Sequence, residues 1–281
     1  MIPEEQQEEE VLATASENGA VDPDDEKRVT EFKSNRLFFI LGGFFLANAF
    51  IAEFIGVKIF ALEDTLHMSP WGLDPMGNPG PLHFTAGVLL WPVVFIMTDV
   101  INDYFGVSGV RFLSYLTAGL IGYAFLMVFA AIGLEPAGWW VTGYTEKGVP
   151  DMQAAFSSVF GQGLWIIFAS LVAFLVGQLV DAAVFRRVKM ATGQQKIWLR
   201  ATISTLVSHL LDSYLVLYIA FVLGANWSTE QFLSIGTANY LYKVGVAILF
   251  IPLLYLIHRG INRYLGEDEA AELRRLALKK N

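Results

Sequence analysis

Long apolar stretches alternate with short polar connections along most of this chain. Six of these stretches can cross a bilayer as helices, since a crossing helix needs about 20 predominantly apolar residues. They run over roughly residues 37–60, 82–101, 112–133, 162–184, 201–224 and 232–257. The pattern predicts an all-α integral membrane protein with six transmembrane helices.

The fifth apolar stretch carries polar residues near its middle. Ser208 and Asp212 are four positions apart and His209 and Asp212 are three apart, so they share one face of a helix. An ionisable group at mid-membrane costs roughly 2.5–3.5 kcal/mol on insertion scales, so it normally faces a partner or a wet cavity. We therefore expect this helix to form one wall of an internal polar site.

Three other predicted helices also carry polar groups at depth. Gln178 and Asp181 share a face of the fourth helix, and an amide beside a carboxylate can bind a planar heterocycle that offers both donors and acceptors. Lys243 lies deep in the sixth helix, where we expect a carboxylate partner: Asp212, Glu53 or Asp181. Glu53 is near the middle of the first helix and is itself a functional candidate.

The second predicted helix ends in a run of acids and an amide. Asp99 lies three positions before Asn102 and four before Asp103. Two carboxylates at that spacing repel unless a cation, a proton or an arginine intervenes, and Arg111 is the candidate partner. We expect Asp103 to lie in cytoplasmic water and Asp99 to lie inside the protein.

Composition supports membrane insertion. The 281 residues are 54% hydrophobic and 16% charged, whereas soluble domains average about 25% charged. The chain has no cysteine, which excludes disulfides, cysteine-ligated metals and thiol nucleophiles. The net charge of −8 comes from the N-terminus, because residues 1–31 hold eleven acids against two bases. This composition predicts a solvated, disordered tail.

The Lys and Arg residues predict the orientation. Sixteen of nineteen lie on one side of the predicted helices, and Lys147 alone lies on the other. Both termini should therefore be cytoplasmic. We divide the chain into an acidic disordered cytoplasmic tail (1–36), a six-helix transmembrane transporter domain (37–258) and a short amphipathic cytoplasmic tail (259–281). The last of these contains a predicted amphipathic helix from Gly266.

Four sequence blocks in order resemble the queuosine precursor transporters of the vitamin uptake transporter family. They are TDVINDYFG from Thr98, GQLVDAAVFRRV from Gly177, STLVSHLLDSYLVLYIAF from Ser204 and NYLYKVGVAILFIPLLY from Asn239. The resemblance implies a six-helix importer in the bacterial inner membrane. Its substrates would be 7-deazaguanine bases, the 7-cyano and 7-aminomethyl forms that are salvaged for the tRNA nucleoside queuosine.

The resemblance also implies roles for individual residues. The candidate substrate-binding residues are Asp212, Asp181, Gln178, Ser208, Lys243 and Asn48. The candidate coupling or gating residues are Asp99, Glu53 and Asn102. On the first helix, the family position falls on either Asn48 or Glu53. The expected partners are a small 7-deazaguanine substrate and the lipid bilayer, with no nucleic acid, and a homodimer is left open.

The first functional hypothesis from the sequence is a secondary importer, and two other functions are its alternatives. A substrate-capture subunit of an ATP-energised complex would borrow its nucleotide site, because this chain has no Walker A sequence. An intramembrane enzyme would need Ser208, His209 and Asp212 as a triad, but these lie within one turn of one helix and a triad needs converging directions. We expect no enzyme activity, no cofactor and no metal site.

Overall fold

The computed structural model describes residues 23–69, 83–161, 164–192, 197–223 and 228–279. Residues 1–22 of the predicted acidic tail lie outside this range. Residues 23–36, which were also assigned to the tail, belong to the first helix, which begins at Pro23.

Helices account for nearly all of the described chain. Two three-residue strands, β1 (Ile59–Ala61) and β2 (His83–Thr85), form an antiparallel ribbon that pairs Ile59 with Thr85. Short 3-10 turns span Ala86–Leu89 and Thr145–Lys147, and a π-helical turn spans Tyr218–Leu223. The helices are α1 (Pro23–Ile55), α2 (Leu62–Thr65), α3 (Trp91–Ile132), α4 (Gly138–Thr142), α5 (Met152–Phe160), α6 (Leu164–Thr192), α7 (Ile197–Leu217), α8 (Thr229–Leu249), α9 (Ile251–Leu265) and α10 (Glu267–Lys279).

Within the described residues, four helical segments are long and apolar enough to cross a membrane. They are Arg28–Ile55, Trp91–Ile132, Ile166–Thr192 and Trp198–Leu223. Helices α8 and α9 meet at a 44° bend, and the pair Ile235–Leu249 and Ile251–Leu265 counts as a fifth when it is taken as one span. An all-α membrane protein is thus confirmed, while the count of six crossings and the cytoplasmic termini stay predictions.

Helix α3 joins most of the second predicted helix to the third. The second was expected to begin at residue 82, but residues 83–89 form β2 and a 3-10 turn, and α3 begins at Trp91. A continuous helix of 42 residues would be about 63 Å long, roughly twice the hydrocarbon thickness of a bilayer. The helix is instead broken at Gly106, whose φ of 75° and ψ of −178° are not helical. Glycine is needed here because φ is positive and because a Cβ atom would lie 2.6 Å from the carbonyl oxygen of Ala277.

The C-terminal helix α10 packs against the break in α3. Beside the close approach to Gly106, the Nζ atom of Lys189 on α6 donates to the carbonyl oxygen of Arg274 at 3.3 Å. The Thr30 hydroxyl on α1 donates to Glu269 at 2.8 Å. Helix α10 therefore closes one end of the bundle and contacts three of its helices.

The apolar core lies between α1, α3, α6 and α9. Phe45, Val100 and Phe185 are buried in one continuous cluster. Other large apolar side chains face outward, including Phe39, which is 82% exposed, and Leu249, which is 74% exposed. Outward-facing apolar side chains on membrane-spanning helices are the surface that lipid covers.

Candidate functional site

Helices α3, α6 and α7 bring four predicted site residues together in a buried polar group. The Ser208 hydroxyl donates to Asp181 Oδ1 at 2.9 Å, and the Ser204 hydroxyl donates to Asp99 Oδ1 at 3.3 Å. Ser204 and Ser208 are one turn apart on α7, so both face the same neighbours. Gln178 lies one turn before Asp181 on α6. We call these five residues the carboxylate cluster.

The carboxylate cluster keeps unused hydrogen-bonding capacity. Gln178 Oε1 accepts a hydrogen bond from the Thr98 hydroxyl, but its Nε2 atom has no hydrogen-bond partner in the described chain, and neither does Asp181 Oδ2. Gln178 and Asp181 are fully buried. Buried polar groups are normally paired. A free donor and a free acceptor one turn apart therefore mark a place that a ligand can complete.

No cation contacts the carboxylates of the cluster directly in the described chain, although Arg200 on α7 interacts electrostatically with Asp99. Asp99 and Asp181 are close enough to share a hydrogen bond between their carboxyl groups, and they also interact electrostatically. Over the ranges that the structure covers, no salt bridge within 4.0 Å reaches either carboxylate. Two buried carboxylates held together in this way attract a cation, a proton or a ligand that donates hydrogen bonds.

Lys243 on α8 forms its predicted ion pair, and its partner is Asp212 on α7. Of the three carboxylates considered from the sequence, the structure selects this one. The pair is partly open, since the two side chains are 20% and 18% exposed. A Cβ atom on Gly177 would lie 3.6 Å from the Cβ of Asp212, so the pair sits directly beside α6.

Glu53 lies near the same pair. Its carboxylate accepts a hydrogen bond from the Ser170 hydroxyl at 2.7 Å and interacts electrostatically with Asp212. Asn48 instead donates to the carbonyl of Phe44 within its own helix, at 2.7 Å. Of the two first-helix candidates, the described contacts therefore connect Glu53 with another site residue.

Asn102 lies between two helices. Its amide donates to the carbonyl oxygen of Ala182 at 2.9 Å and so ties α3 to α6. It is buried, one turn after Asp99. This contact shows where Asn102 lies and leaves its coupling or gating role a prediction.

Asp103 was expected to lie in water, and this expectation is wrong. Its side chain is fully buried and touches three basic groups. Lys189 Nζ lies 2.6 Å and Arg200 NH2 lies 2.8 Å from Oδ1, and His258 Nε2 lies 3.1 Å from Oδ2. Arg111, the partner expected from the sequence, is exposed. We call Asp103, Lys189, Arg200 and His258 the basic cage.

The sequence did contain a signal for part of the basic cage. Arg200 precedes Ser204 by four residues and Ser208 by eight, so all three lie on one polar stripe of α7. Lys189 and Arg200 were assigned to a cytoplasmic connection because charges normally end a hydropathic stretch. Both are buried, at 2% and 0% exposed, because helices α6 and α7 extend past the apolar segments.

One family model matches the part of the chain that contains the carboxylate cluster and all of the basic cage except His258. It is described as "Putative vitamin uptake transporter" and matches residues 85–257, which is more than half of the chain. The chain belongs to the vitamin uptake transporter family. The resemblance inferred from four sequence blocks is thereby confirmed.

Curated relatives of this vitamin uptake transporter come from three bacteria. The chain is 26% identical to a "Probable queuosine precursor transporter" of Bacillus subtilis over 63% of this chain and 72% of the relative. It is 26% identical to a protein of the same description from Haemophilus influenzae, over 72% and 79%. It is 28% identical to the "Queuosine precursor transporter" of Escherichia coli, over 66% and 79%. No solved structure matches the chain.

Family membership and the apolar helices together establish a multi-pass transport protein of the bacterial inner membrane. The matched region contains the whole carboxylate cluster and the Asp212–Lys243 pair. It begins after Asn48 and Glu53, so the first-helix candidates rest on this chain's own geometry.

Proposed function

We propose that this chain imports queuosine precursors, 7-cyano- and 7-aminomethyl-7-deazaguanine, as a secondary transporter. The names of its relatives support the substrate class. The observation that carries the proposal is the carboxylate cluster, a buried group of hydrogen-bonding side chains that has two carboxylates and no ion-pair partner in the described part of the chain.

The open atoms of the cluster complement one edge of a deazaguanine. The base presents an N–H and an amino group next to a carbonyl oxygen, so it offers two donors beside an acceptor. Asp181 Oδ2 is a free acceptor and Gln178 Nε2 is a free donor. A carboxylate suits the two donors and an amide N–H suits the carbonyl. Gln178 and Asp181 would therefore recognise the base by hydrogen bonds, and Ser208 would orient the carboxylate of Asp181.

The Asp212–Lys243 pair would supply charge balance beside the site. Lys243 would neutralise Asp212 in the empty state, and Glu53, Asp99 and Asn102 would act in coupling or gating. Asn48 remains a candidate contact on α1. The buried state of Gln178 and Asp181 means that the base reaches them only when the surrounding helices separate, as alternating access requires.

The six-crossing topology is part of the proposal. If the break at Gly106 separates two crossings, the two parts of α3 with α1, α6, α7 and the bent α8–α9 pair make six. The Lys and Arg distribution would then place both termini in the cytoplasm. Single cysteines introduced near Arg28 and Glu267 into this cysteine-free chain would test the topology by labelling with an impermeant thiol reagent.

Uptake by purified protein tests the transport proposal. The protein alone is placed in liposomes and labelled 7-cyano-7-deazaguanine is added with and without an imposed proton gradient. Accumulation driven by the gradient is expected. Binding without accumulation would point to a capture subunit that needs an ATPase partner, and the absence of both binding and uptake would refute the proposed substrate.

A further inference from the structure

A small cavity lies between α3, α7, α8 and α9, and Asp99 forms part of its wall. Its volume is about 40 Å³. A water molecule requires about 10–15 Å³ on this measure, so the space suits two or three non-hydrogen atoms. Its polar lining comprises Asp99, Thr202, Thr205 and His209, and the remaining wall is mostly apolar. The cavity thus adjoins the carboxylate cluster through a shared residue.

Two of the polar side chains in the cavity wall have unsatisfied atoms. His209 Nδ1 and the Thr202 hydroxyl are buried and find no hydrogen-bond partner among the residues described. His209 is only 3% exposed. Its ring meets the Phe95 ring edge-to-face with centroids 4.2 Å apart, which fixes its orientation. These atoms are available to a bound group without any competing internal bond.

The cavity also borders the bend between α8 and α9. Ile248 and Phe250, on either side of the end of α8, line it. Pro252 has no N–H, so the carbonyl of Ile248 lacks its helical donor. Substrate sites in transporters are typically built at such interrupted helices. The wall of this cavity therefore combines open hydrogen-bonding atoms with a hinge-like element.

We infer that this cavity receives the substituent at position 7 of the precursor and selects substituted deazaguanines over the unsubstituted base. This inference rests on the proposed function. A nitrile or an aminomethyl group adds one carbon and one nitrogen, which matches the volume, whereas the ring system does not fit. Asp99 would accept hydrogen bonds from the aminomethyl ammonium. His209 and Thr202 would donate to the nitrile nitrogen.

Filling the cavity tests the inference through selectivity. Thr202→Leu adds volume to the wall, and Val207→Leu is the matched control because it adds volume on the same helix at a residue that does not line the cavity and is 38% exposed. Uptake of 7-cyano-7-deazaguanine, 7-aminomethyl-7-deazaguanine and 7-deazaguanine is measured in proteoliposomes. We expect Thr202→Leu to lower the uptake of both substituted bases, relative to 7-deazaguanine, by about tenfold or more, as overpacking implies. Val207→Leu should leave that ratio unchanged, because its added methylene lies outside the cavity.

The outcomes separate this inference from the proposed function. If wild-type protein transports the precursors and Thr202→Leu lowers the uptake of all three bases equally, the cavity does not select among them. That result overturns this inference and leaves the proposed function standing. If wild-type protein transports none of them, the proposed function fails and the inference fails with it. Thr205→Leu fills the same wall from one turn further along α7 and replaces Thr202→Leu if that variant does not fold in detergent.

Discussion

Asp99 and Asp103 are one turn apart on α3, yet their surroundings are opposite. Asp103 sits in the basic cage, with Lys189, Arg200 and His258 in contact with its carboxylate. Asp99 has a serine hydroxyl at 3.3 Å, a second carboxylate nearby and a cavity beside it. The carboxylate of Asp103 is fully paired within the chain, whereas the carboxylate of Asp99 can still accept hydrogen bonds from a ligand.

The difference follows from the break in α3. In a continuous helix the carbonyl of Asp103 would accept from the N–H of Val107, which lies beyond Gly106. Lys189 Nζ donates to that carbonyl at 2.7 Å and also to α10. The basic cage therefore stabilises an interrupted helix and the helix that covers it. Asp99, the member of the carboxylate cluster on α3, lies within the unbroken first part of that helix, where the backbone needs no such support.

Removing a basic partner of Asp103 should have the largest effect on stability. Arg200→Met leaves a buried carboxylate with one fewer cation, and breaking a buried ion pair costs about 3–5 kcal/mol. We expect a sharply lowered thermal midpoint in detergent. Arg111→Met is the control, because Arg111 is exposed on α3, the helix that carries Asp103. Its free energy of unfolding should stay within about 0.5 kcal/mol of the wild-type value. Equal stability of the two variants would show that the basic cage does not hold the fold together.

Neutralising Asp181 of the carboxylate cluster, or Asp212 of the neighbouring ion pair, should lower transport strongly and spare the fold. Asp181→Asn keeps the size of the side chain but weakens a charge-assisted contact with the base, and Asp212→Asn removes the partner of Lys243. We expect folded, membrane-inserted protein with uptake lowered by about tenfold or more, the equivalent of one such contact. Size-exclusion profiles in detergent and uptake in proteoliposomes measure the two properties. Near-normal uptake by both variants would exclude these residues from the site.

Adding a methyl group at the break should have an intermediate effect. In Gly106→Ala the new Cβ would lie 2.6 Å from the Ala277 carbonyl, at a φ of 75°. Strain of this kind costs about 1–3 kcal/mol, so we expect α10 to detach and become open to limited proteolysis. Gly119→Ala on the same helix meets nothing within 4 Å and is the matched control. Identical digestion of both variants would contradict the docking of α10 at the break.

The partly exposed Asp212–Lys243 pair should contribute least to stability. Each side chain is about a fifth exposed, so we expect the coupling of the pair to fall below the roughly 3–5 kcal/mol of a fully buried pair. A double-mutant cycle of Asp212→Asn and Lys243→Met, read by thermal unfolding, gives this coupling directly. A coupling as large as that of the basic cage would remove the proposed distinction between a functional and a structural ion pair.

Local spacing predicted much of the carboxylate cluster. Gln178 with Asp181 and Ser208 with Asp212 were placed on shared helix faces by spacing alone, and the structure brings Asp181 to Ser208. It also selects Asp212 from three possible partners of Lys243. Such contacts could be predicted from the sequence because helical periodicity determines which residues share one side of a helix.

The basic cage was not predictable in the same way. Its members come from α3, α6, α7 and α9, and their burial depends on the break at Gly106 and on the docking of α10, which are long-range features. Lys189 and Arg200 were predicted to lie in a cytoplasmic loop because hydropathy analysis places charged residues outside the membrane-spanning stretches. His258 lies 155 residues from Asp103, so no local spacing indicates their contact.

The most direct test of the whole account compares Asp99→Asn with Asp103→Asn in one preparation. For each variant, the thermal midpoint in detergent and the uptake per folded molecule in proteoliposomes are measured. We predict that Asp99→Asn folds with near wild-type stability and loses transport, whereas Asp103→Asn is strongly destabilised and its folded fraction still transports. A stable, inactive Asp103→Asn beside an unstable, active Asp99→Asn would contradict the account.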